Sequence, residues 1–302
     1  MTDPPLEDRS LAARLAGRLP GRETASGYLL RLSRPRFWLY LAGPALVGAT
    51  YAADSLPDLL AALPVALVAF FLVPANVFLY GVNDVFDADV DATNPKKAER
   101  EVRYRGDRRV LLVVIACGVA GLAFLPLVPT KAALALLAWY GLAVEYSAPP
   151  LRFKTTPVLD SVSNGLYVLP GVVAYVAVAG AWPPLAAVLG GWLWTMGMHT
   201  FSAIPDVEPD RAAGVRTTAT VLGERGSYAY CAAVWALAAA AFASVHPLFG
   251  ALLALYPLLV TGVALADVAV DTAYWWFPIV NSVVGMLFTL GGLWLLVIGR
   301  GG

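Results

Sequence analysis

The amino-acid sequence predicts an all-α, polytopic membrane protein with nine transmembrane helices. Three observations predict this class: the composition, the mean hydropathy and a series of long apolar runs. Of the 302 residues, 59% are hydrophobic and only 14% are charged, and the mean hydropathy is +0.68. A water-soluble domain usually carries about 25% charged residues. Because 21 basic residues balance 21 acidic ones, the chain has no bulk charge that favours nucleic acid as a partner.

Nine apolar runs are separated by short polar breaks. Each run is long enough to cross about 30 Å of hydrocarbon as a helix. Helices are favoured over strands, because backbone groups in lipid must be satisfied within each segment. The runs lie at residues 37–53, 57–82, 109–126, 131–147, 161–180, 183–204, 227–244, 246–265 and 275–298.

The chain divides into an amino-terminal arm and a membrane domain. Residues 1–33 mix Arg and Leu without a continuous apolar run, which predicts a cytoplasmic arm or an interfacial helix. Residues 34–302 hold the nine runs and form the predicted membrane domain. Five prolines within these runs are expected to kink helices rather than end them, since a packed bundle tolerates the lost hydrogen bonds. They are Pro44, Pro64, Pro74, Pro170 and Pro257.

The basic residues predict the orientation of the chain in a cell membrane. Every Lys and Arg except Lys131 and Arg300 lies before the first run or in a loop after an even-numbered run. The positive-inside rule makes that face cytoplasmic. The amino terminus is therefore expected inside the cell and, with nine spans, the carboxyl terminus outside.

A first acidic cluster follows the second apolar run on the predicted cytoplasmic side. Asp84, Asp87, Asp89 and Asp91 lie within eight residues, and this many carboxylates repel one another at a membrane boundary. A solvated acidic loop is one interpretation. A continuing helix is the other, and it places all but Asp89 of these carboxylates on one stripe. The members of that stripe are Asn76, Tyr80, Asn83, Asp84, Asp87 and Asp91.

A second acidic cluster, Asp206-Val-Glu208-Pro-Asp210, follows the sixth run on the same predicted face. Asp206 and Asp210 are one helical turn apart. Two acidic walls on one face predict a magnesium site, because Mg²⁺ takes hard oxygen ligands and binds through a few carboxylates plus substrate phosphates. A diphosphate between the walls is the expected occupant.

Basic side chains that fit such a pocket follow the fourth run and the second acidic cluster. Arg grips phosphate oxygens in a fork and Lys adds a point charge, which stabilises a departing diphosphate. A purely topogenic role is the alternative. The candidates are Arg152, Lys154, Arg211 and Arg216.

These motifs resemble those of the UbiA-type intramembrane prenyltransferases over essentially the whole chain. The resemblance rests on Asn-Asp-x-x-Asp-x-x-x-Asp from Asn83 to Asp91, on Tyr-Ser-x-Pro-Pro-x-Arg-x-Lys from Tyr146 to Lys154, and on Asp206-x-x-x-Asp210. It implies the nine-helix bundle of that family and transfer of an isoprenoid group from its diphosphate to a lipophilic acceptor. It also implies two Mg²⁺ ions, held by Asn83, Asp84, Asp87, Asp91, Asp206 and Asp210.

One departure from the family pattern indicates the acceptor. Many members that act on aromatic acceptors carry a Lys-Asp pair where this chain has Ser202 and Ala203. The segments around His199, Asp160 and Trp275 are instead similar to the lycopene elongase branch. That similarity implies dimethylallyl diphosphate as donor, lycopene as acceptor and carotenoids of 45 or 50 carbons as products. Loss of a charged pair suits a hydrocarbon, because an unpaired buried ion carries a desolvation cost.

Several polar and aromatic residues on the predicted helices are candidates for lining the substrate cavity. A histidine can accept a proton near neutral pH, so His199 is also a candidate base, although a structural role is the commoner one for a lone histidine. The candidates are Asn76, Tyr80, Tyr146, Asn164, Tyr167, His199, Ser202 and Asn281.

Two other functions remain open at this point. A related prenyltransferase would act on a quinone precursor or a lipid headgroup, which requires additional polar groups in the cavity. A cation-coupled transporter would also use acidic clusters, but transporters commonly bind ions near the bilayer midplane on broken helices. The sequence gives no indication of a partner subunit.

Overall fold

The structure is a computed structural model that describes residue 21 and residues 24–87, 106–266 and 268–299. Every regular element in these ranges is helical, in agreement with the predicted all-α class. The helices are α1 (Ala25–Leu32), α2 (Trp38–Ala52), α3 (Leu56–Leu59), α4 (Ala62–Leu72), α5 (Pro74–Phe86), α6 (Arg108–Leu122), α7 (Thr130–Glu145), α8 (Leu159–Val162), α9 (Leu169–Ala179), α10 (Leu185–Ala203), α11 (Val207–Ala212), α12 (Thr218–Val245), α13 (Pro247–Leu253), α14 (Leu255–Leu265) and α15 (Val270–Trp294).

Each of the nine predicted apolar runs contains a helix. Within the described residues, six helical segments are long and apolar enough to cross a membrane: Ala62–Phe86, Arg108–Leu127, Leu159–Ala179, Thr218–Val245, Pro247–Leu265 and Val270–Ile298. The other three predicted spans contain α2, α7 and α10, which are not among these six. The structure therefore supports a membrane protein, and nine crossings remain a prediction.

Three of the five prolines, Pro74, Pro170 and Pro257, lie inside membrane-length helical segments near the start of a new helix, so they interrupt a span and do not end it, as expected. Pro74 and Pro170 lie in the first two residues of α5 and α9, and Pro64 and Pro257 lie third in α4 and α14. A helix leaves its first N–H groups without internal partners, so proline costs little there. Pro44 is the one that lies inside its helix, α2.

Two large hydrophobic cores and a small third cluster around Val77 and Val114 lie within the described part of the bundle. The first contains Phe71 and Trp139 and is built from α2, α4, α5, α7 and α9, and the second surrounds Phe201, Trp235 and Tyr256 on α10, α12 and α14. Many large apolar side chains on the outside of the bundle are exposed. An apolar outer surface of this extent is unfavourable in water and suits contact with lipid.

The helix that carries the first acidic cluster ends earlier than a continuous stripe requires. α5 stops at Phe86, and Asp87 is its C-cap, with its N–H bonded to the carbonyl of Asn83. Asp89 and Asp91 lie outside the described residues. Most of the amino-terminal arm also lies outside them, and Ala25–Leu32 is helical with Thr24 as its N-cap.

Candidate active site

A polar pocket of about 220 Å³ lies where α5, α7 and α10 end. Its wall contains charged, amide, hydroxyl and aromatic groups in one place. The lining includes Arg34, Tyr40, Tyr80, Asn83, Tyr146, Asn164, Tyr167, Trp194, His199, Ser202 and Tyr274. Six of the eight residues predicted to line a substrate cavity are therefore brought together here.

Two aspartates at the end of α5 are buried and held by cations from distant parts of the chain. Asp84 and Asp87 are 5% and 6% exposed. The Asp84 carboxylate accepts a hydrogen bond of 3.4 Å from Arg34, and Asp87 accepts one of 3.1 Å from Arg152 and a second from Lys154. Buried carboxylates need such partners, because an unpaired ion away from water is strongly unfavourable.

Arg34 and Arg152 share an unusual backbone conformation. Both are in the left-handed region, with φ angles of 49° and 41°, and each is followed directly by a single 3-10 turn. A residue with a side chain adopts this conformation at a cost of about 1–3 kcal/mol, and such strain concentrates at functional sites. The shared conformation turns each arginine toward an aspartate of α5.

Hydrogen bonds and ring contacts fix the remaining groups around these carboxylates. The Asn83 amide donates to the Ser147 hydroxyl at 2.7 Å. The Arg34 guanidinium lies over the Tyr80 ring, 4.5 Å from its centroid. The Tyr80 and Tyr167 hydroxyl oxygens are 3.4 Å apart. These contacts hold polar atoms at defined positions before any ligand arrives.

The second acidic cluster lies on a 3-10 turn, Ile204–Asp206, that leads directly into α11. Asp206 and Asp210 are half-buried, and Glu208 is exposed. Arg211 donates to the Glu208 carboxylate and to the Thr220 carbonyl, both at 2.9 Å, and Arg216 is exposed. Of the four predicted diphosphate-binding cations, Arg152 and Lys154 therefore contact the first cluster, while Arg211 contacts groups outside it.

The donor set suits a hard cation that arrives with its ligand. Among the residues that the structure describes, no three Asp, Glu, His or Cys side chains are close enough to hold a metal by themselves. Mg²⁺ commonly retains waters and is bound by one or two carboxylates together with substrate phosphates. The buried oxygens of Asp84 and Asp87 fit that mode of binding. The predicted ligand Asp91 lies outside the described residues.

Two predicted cavity residues do not line the polar pocket, although one of them, Asn281, lines the apolar cavity described next. Asn76 is fully buried, and its amide donates to the carbonyls of Phe71 and Leu72 at 3.0 Å each. These are the last carbonyls of α4, which lose helical partners because the chain breaks before Pro74. Asn281 instead donates to the Tyr40 hydroxyl at 2.8 Å and accepts from that of Tyr256 at 2.7 Å.

An apolar cavity of about 350 Å³ adjoins the polar pocket. It lies between the two hydrophobic cores, with α2 and α9 on one side and α10, α12 and α15 on the other. The backbones of α2 and α9 touch at Gly48 and Gly171, where a Cβ on either residue would clash. The two cavities share Tyr40, Tyr167, Trp194 and Thr195 in their walls.

The structure adds residues to which the sequence analysis assigned no role in the site. Arg34 lies among the basic residues used to orient the chain, yet it lines the polar pocket. Asp160 is 1% exposed, and its carboxylate lies 3.6 Å from His199 Nε2. An aspartate directly before an apolar run is the signal that could mark such a residue in a sequence, because ionisable groups are rare at the membrane.

A helical bundle with cation-held carboxylates beside a polar pocket, and with an apolar cavity adjoining that pocket, suits an enzyme that joins a charged donor to a lipophilic acceptor. Residues 41–277 match the UbiA prenyltransferase family, and the chain therefore belongs to that family. It is a prenyltransferase, which decides against the transporter alternative.

Known relatives and solved structures agree with this assignment. The chain is 66% identical over 272 residues to a lycopene elongase/hydratase of Haloferax volcanii, an alignment that covers 90% of each chain. It also resembles a UbiA homologue of Archaeoglobus fulgidus solved with DMAPP and Mg²⁺, at a TM-score of 0.67 and 23% identity over 90% of this chain and 99% of that chain. The same homologue solved with GPP and Mg²⁺ gives a TM-score of 0.69 and 24% identity over 90% and 100%. At these identities, the structural likeness establishes the fold alone.

Proposed function

We propose that the chain is a magnesium-dependent prenyltransferase that moves a dimethylallyl group from its diphosphate to the ends of lycopene. The products are carotenoids of 45 and 50 carbons. One observation carries the proposal: a pocket lined by Arg34 and the amides of Asn83 and Asn164 shares four residues with an adjoining apolar cavity. The lycopene elongase/hydratase relative supports the choice of acceptor.

The donor diphosphate is assigned to the polar pocket. Arg34, which lines this pocket, contacts Asp84, and Arg152 and Lys154 contact Asp87 at the end of the same helix. Mg²⁺ would be held by Asn83, Asp84, Asp87 and Asp91 on one side and by Asp206 and Asp210 on the other, as two ions. When bound, it neutralises charge on the diphosphate. The three cationic side chains stabilise charge that grows on the departing oxygen.

The acceptor is assigned to the apolar cavity. Its walls consist mainly of aliphatic and aromatic side chains, which suit a polyene and exclude water. Exclusion of water matters, because an allylic cation reacts with water before it meets an alkene. The rings of Tyr40, Tyr167 and Trp194 lie where the two cavities meet and stabilise positive charge through their faces without reacting.

The orientation and organisation of the chain belong to the same proposal. The basic residues favour an active site on the cytoplasmic side, an amino terminus inside the cell and, with nine crossings, a carboxyl terminus outside. Residues 1–33 form an arm at that face, and residues 34–302 form the membrane domain. Attachment of a reporter to each terminus and a test of its accessibility in intact cells decides the orientation.

The activity is tested by incubating membranes that contain the protein with lycopene, dimethylallyl diphosphate and Mg²⁺. Mass spectrometry is expected to find carotenoids heavier by one or two five-carbon units, and excess EDTA is expected to abolish them. Geranyl diphosphate in place of the five-carbon donor is the matched control and is expected to react poorly. Unchanged lycopene beside a prenylated quinone would assign a different acceptor.

A further inference from the structure

His199 connects the polar pocket to a buried carboxylate. Its side chain is 16% exposed and lines the pocket, and its ring meets that of Tyr146 edge-on with centroids 6.1 Å apart. Its Nε2 lies 3.6 Å from an oxygen of Asp160, which is buried. This histidine therefore faces the site with one part and a buried anion with the other.

Asp160 is fixed in place by more contacts than packing alone requires. The Thr218 N–H donates to one of its oxygens at 2.9 Å, and the Thr218 hydroxyl donates to the other. That same hydroxyl accepts a hydrogen bond of 2.7 Å from the N–H of Val158. Val158 has a φ of 72°, which is unfavourable for a β-branched residue and persists only where its surroundings enforce it.

We propose that His199 is the base that accepts the final proton of the reaction and that Asp160 is its positioning residue. This inference rests on the proposed function. A carboxylate beside Nε2 selects the tautomer with hydrogen on that nitrogen, and the lone pair of Nδ1 is then available as the base. The same carboxylate stabilises the imidazolium that forms. The other charged or titratable side chains of the pocket are Arg34, Tyr40, Tyr80, Tyr146, Tyr167 and Tyr274.

The chemistry of the proposed reaction leaves one proton to remove. The C–O bond of the donor breaks, and its electron pair leaves with the diphosphate. The terminal alkene of the acceptor then supplies two electrons for the new C–C bond, which leaves a tertiary cation on the acceptor. In one outcome, water adds its oxygen to that carbon and passes a proton to His199. In the other, the neighbouring carbon passes a proton to His199, and the C–H electrons form a double bond.

Two histidine variants test the base directly. His199→Ala and His199→Gln are expected to lower the rate of elongated carotenoid formation about 10²–10⁴-fold, the range for loss of a general base. Diphosphate release is expected to continue and to exceed carotenoid formation. Added imidazole is expected to restore part of the rate in His199→Ala, which loss of packing alone would not allow. His246→Ala is the matched control, since the sequence has two histidines and His246 caps α13.

The positioning role is tested with Asp160→Asn. This variant keeps an oxygen for Thr218 but removes the negative charge, and we expect at least about a tenfold lower rate with an unchanged donor KM and no rescue by imidazole. Thr218→Ser keeps both hydrogen bonds and is expected to remain near the wild-type rate. Thermal unfolding in detergent identifies any variant that misfolds. If His199→Ala misfolds, the rate of His199→Gln tests the proposed base instead.

The outcomes separate this inference from the proposed function. A near-normal rate in both His199 variants, with elongated carotenoid still formed, would overturn the inference alone and leave the released diphosphate as proton acceptor. Rescue of Asp160→Asn by imidazole would also count against the positioning role. A wild-type protein that releases diphosphate but never elongates lycopene would overturn the proposed function, and the inference with it.

Discussion

The two acidic clusters have similar sequences but different surroundings. In the first, Asp84 and Asp87 are almost fully buried and are paired with cations about 50 to 70 residues away in the chain. In the second, Asp206 and Asp210 are half-buried on a short helical turn, and the ion pair of Glu208 with Arg211 is local. The Glu208 side chain is 81% exposed, so that ion pair lies on the surface of the bundle.

This difference separates a cluster with ion pairs between distant parts of the chain from a cluster with a local ion pair. A buried carboxylate that loses its partner leaves an uncompensated charge, whereas an exposed pair contributes little to stability. In the first cluster, the fold therefore fixes the carboxylates and their partner cations together. The second cluster lies on a turn of the backbone, and its ion pair of Glu208 with Arg211 is exposed. Three substitutions test the contrast.

The largest effect is expected from Asp84→Asn. This change keeps the shape of the side chain but removes the charge that holds Arg34 and that is assigned to the metal. We expect the rate of carotenoid formation to fall about 10³-fold, at the upper end for loss of one electrostatic contact in an active site. Product formation in membranes, with protein amount and thermal unfolding measured in parallel, checks it. Retention of more than a tenth of the activity would remove Asp84 from the site.

A somewhat smaller effect is expected from Asp206→Asn. Its half-buried carboxylate is assigned to the metal, and we expect a loss of about 10²-fold that excess Mg²⁺ partly reverses. Glu208→Gln on the same turn is the matched control and is expected to stay within about twofold of wild type, because its ion pair is exposed. Equal losses of activity in Asp206→Asn and Glu208→Gln would show that these changes disturb the structure of the turn and do not remove a metal ligand.

The smallest of the three effects is expected from Arg34→Ala. The guanidinium touches both Asp84 and the Tyr80 ring, so its loss weakens donor binding while Arg152 and Lys154 remain. We expect the donor KM to rise about tenfold, which corresponds to about 1.4 kcal/mol. Initial rates at varied donor concentration measure this change. Arg34→Lys retains the positive charge but loses the forked guanidinium. If the donor KM is unchanged in both variants, Arg34 serves only as a positive charge that orients the chain in the membrane.

The sequence predicts the local features of this molecule well. Each of the nine apolar runs contains a helix, and the all-α class is confirmed. Hydropathy identifies such segments because lipid imposes one simple condition on every span. Hydropathy does not locate the break before Pro74 or the end of α5 at Phe86. These depend on which partners the backbone N–H and C=O groups at helix ends find in the folded bundle.

The candidate site is predictable only in part, for a similar reason. Motif spacing identifies Asp84 and Asp87, because the residues of their motif lie close together in the chain. The contacts of Asp160 with His199 and Thr218 join segments 39 and 58 residues apart. A single sequence carries no signal of such a pair beyond the presence of an ionisable group in or directly before an apolar run.

The polar pocket lies against one part of the apolar cavity, and this has a consequence for a long acceptor with two identical ends. Only the end that reaches the pocket can be modified during one visit. The half-modified molecule must then withdraw into the bilayer, turn end over end and enter again. Single-ended species are therefore expected to accumulate early in a time course and to decline as doubly modified molecules appear.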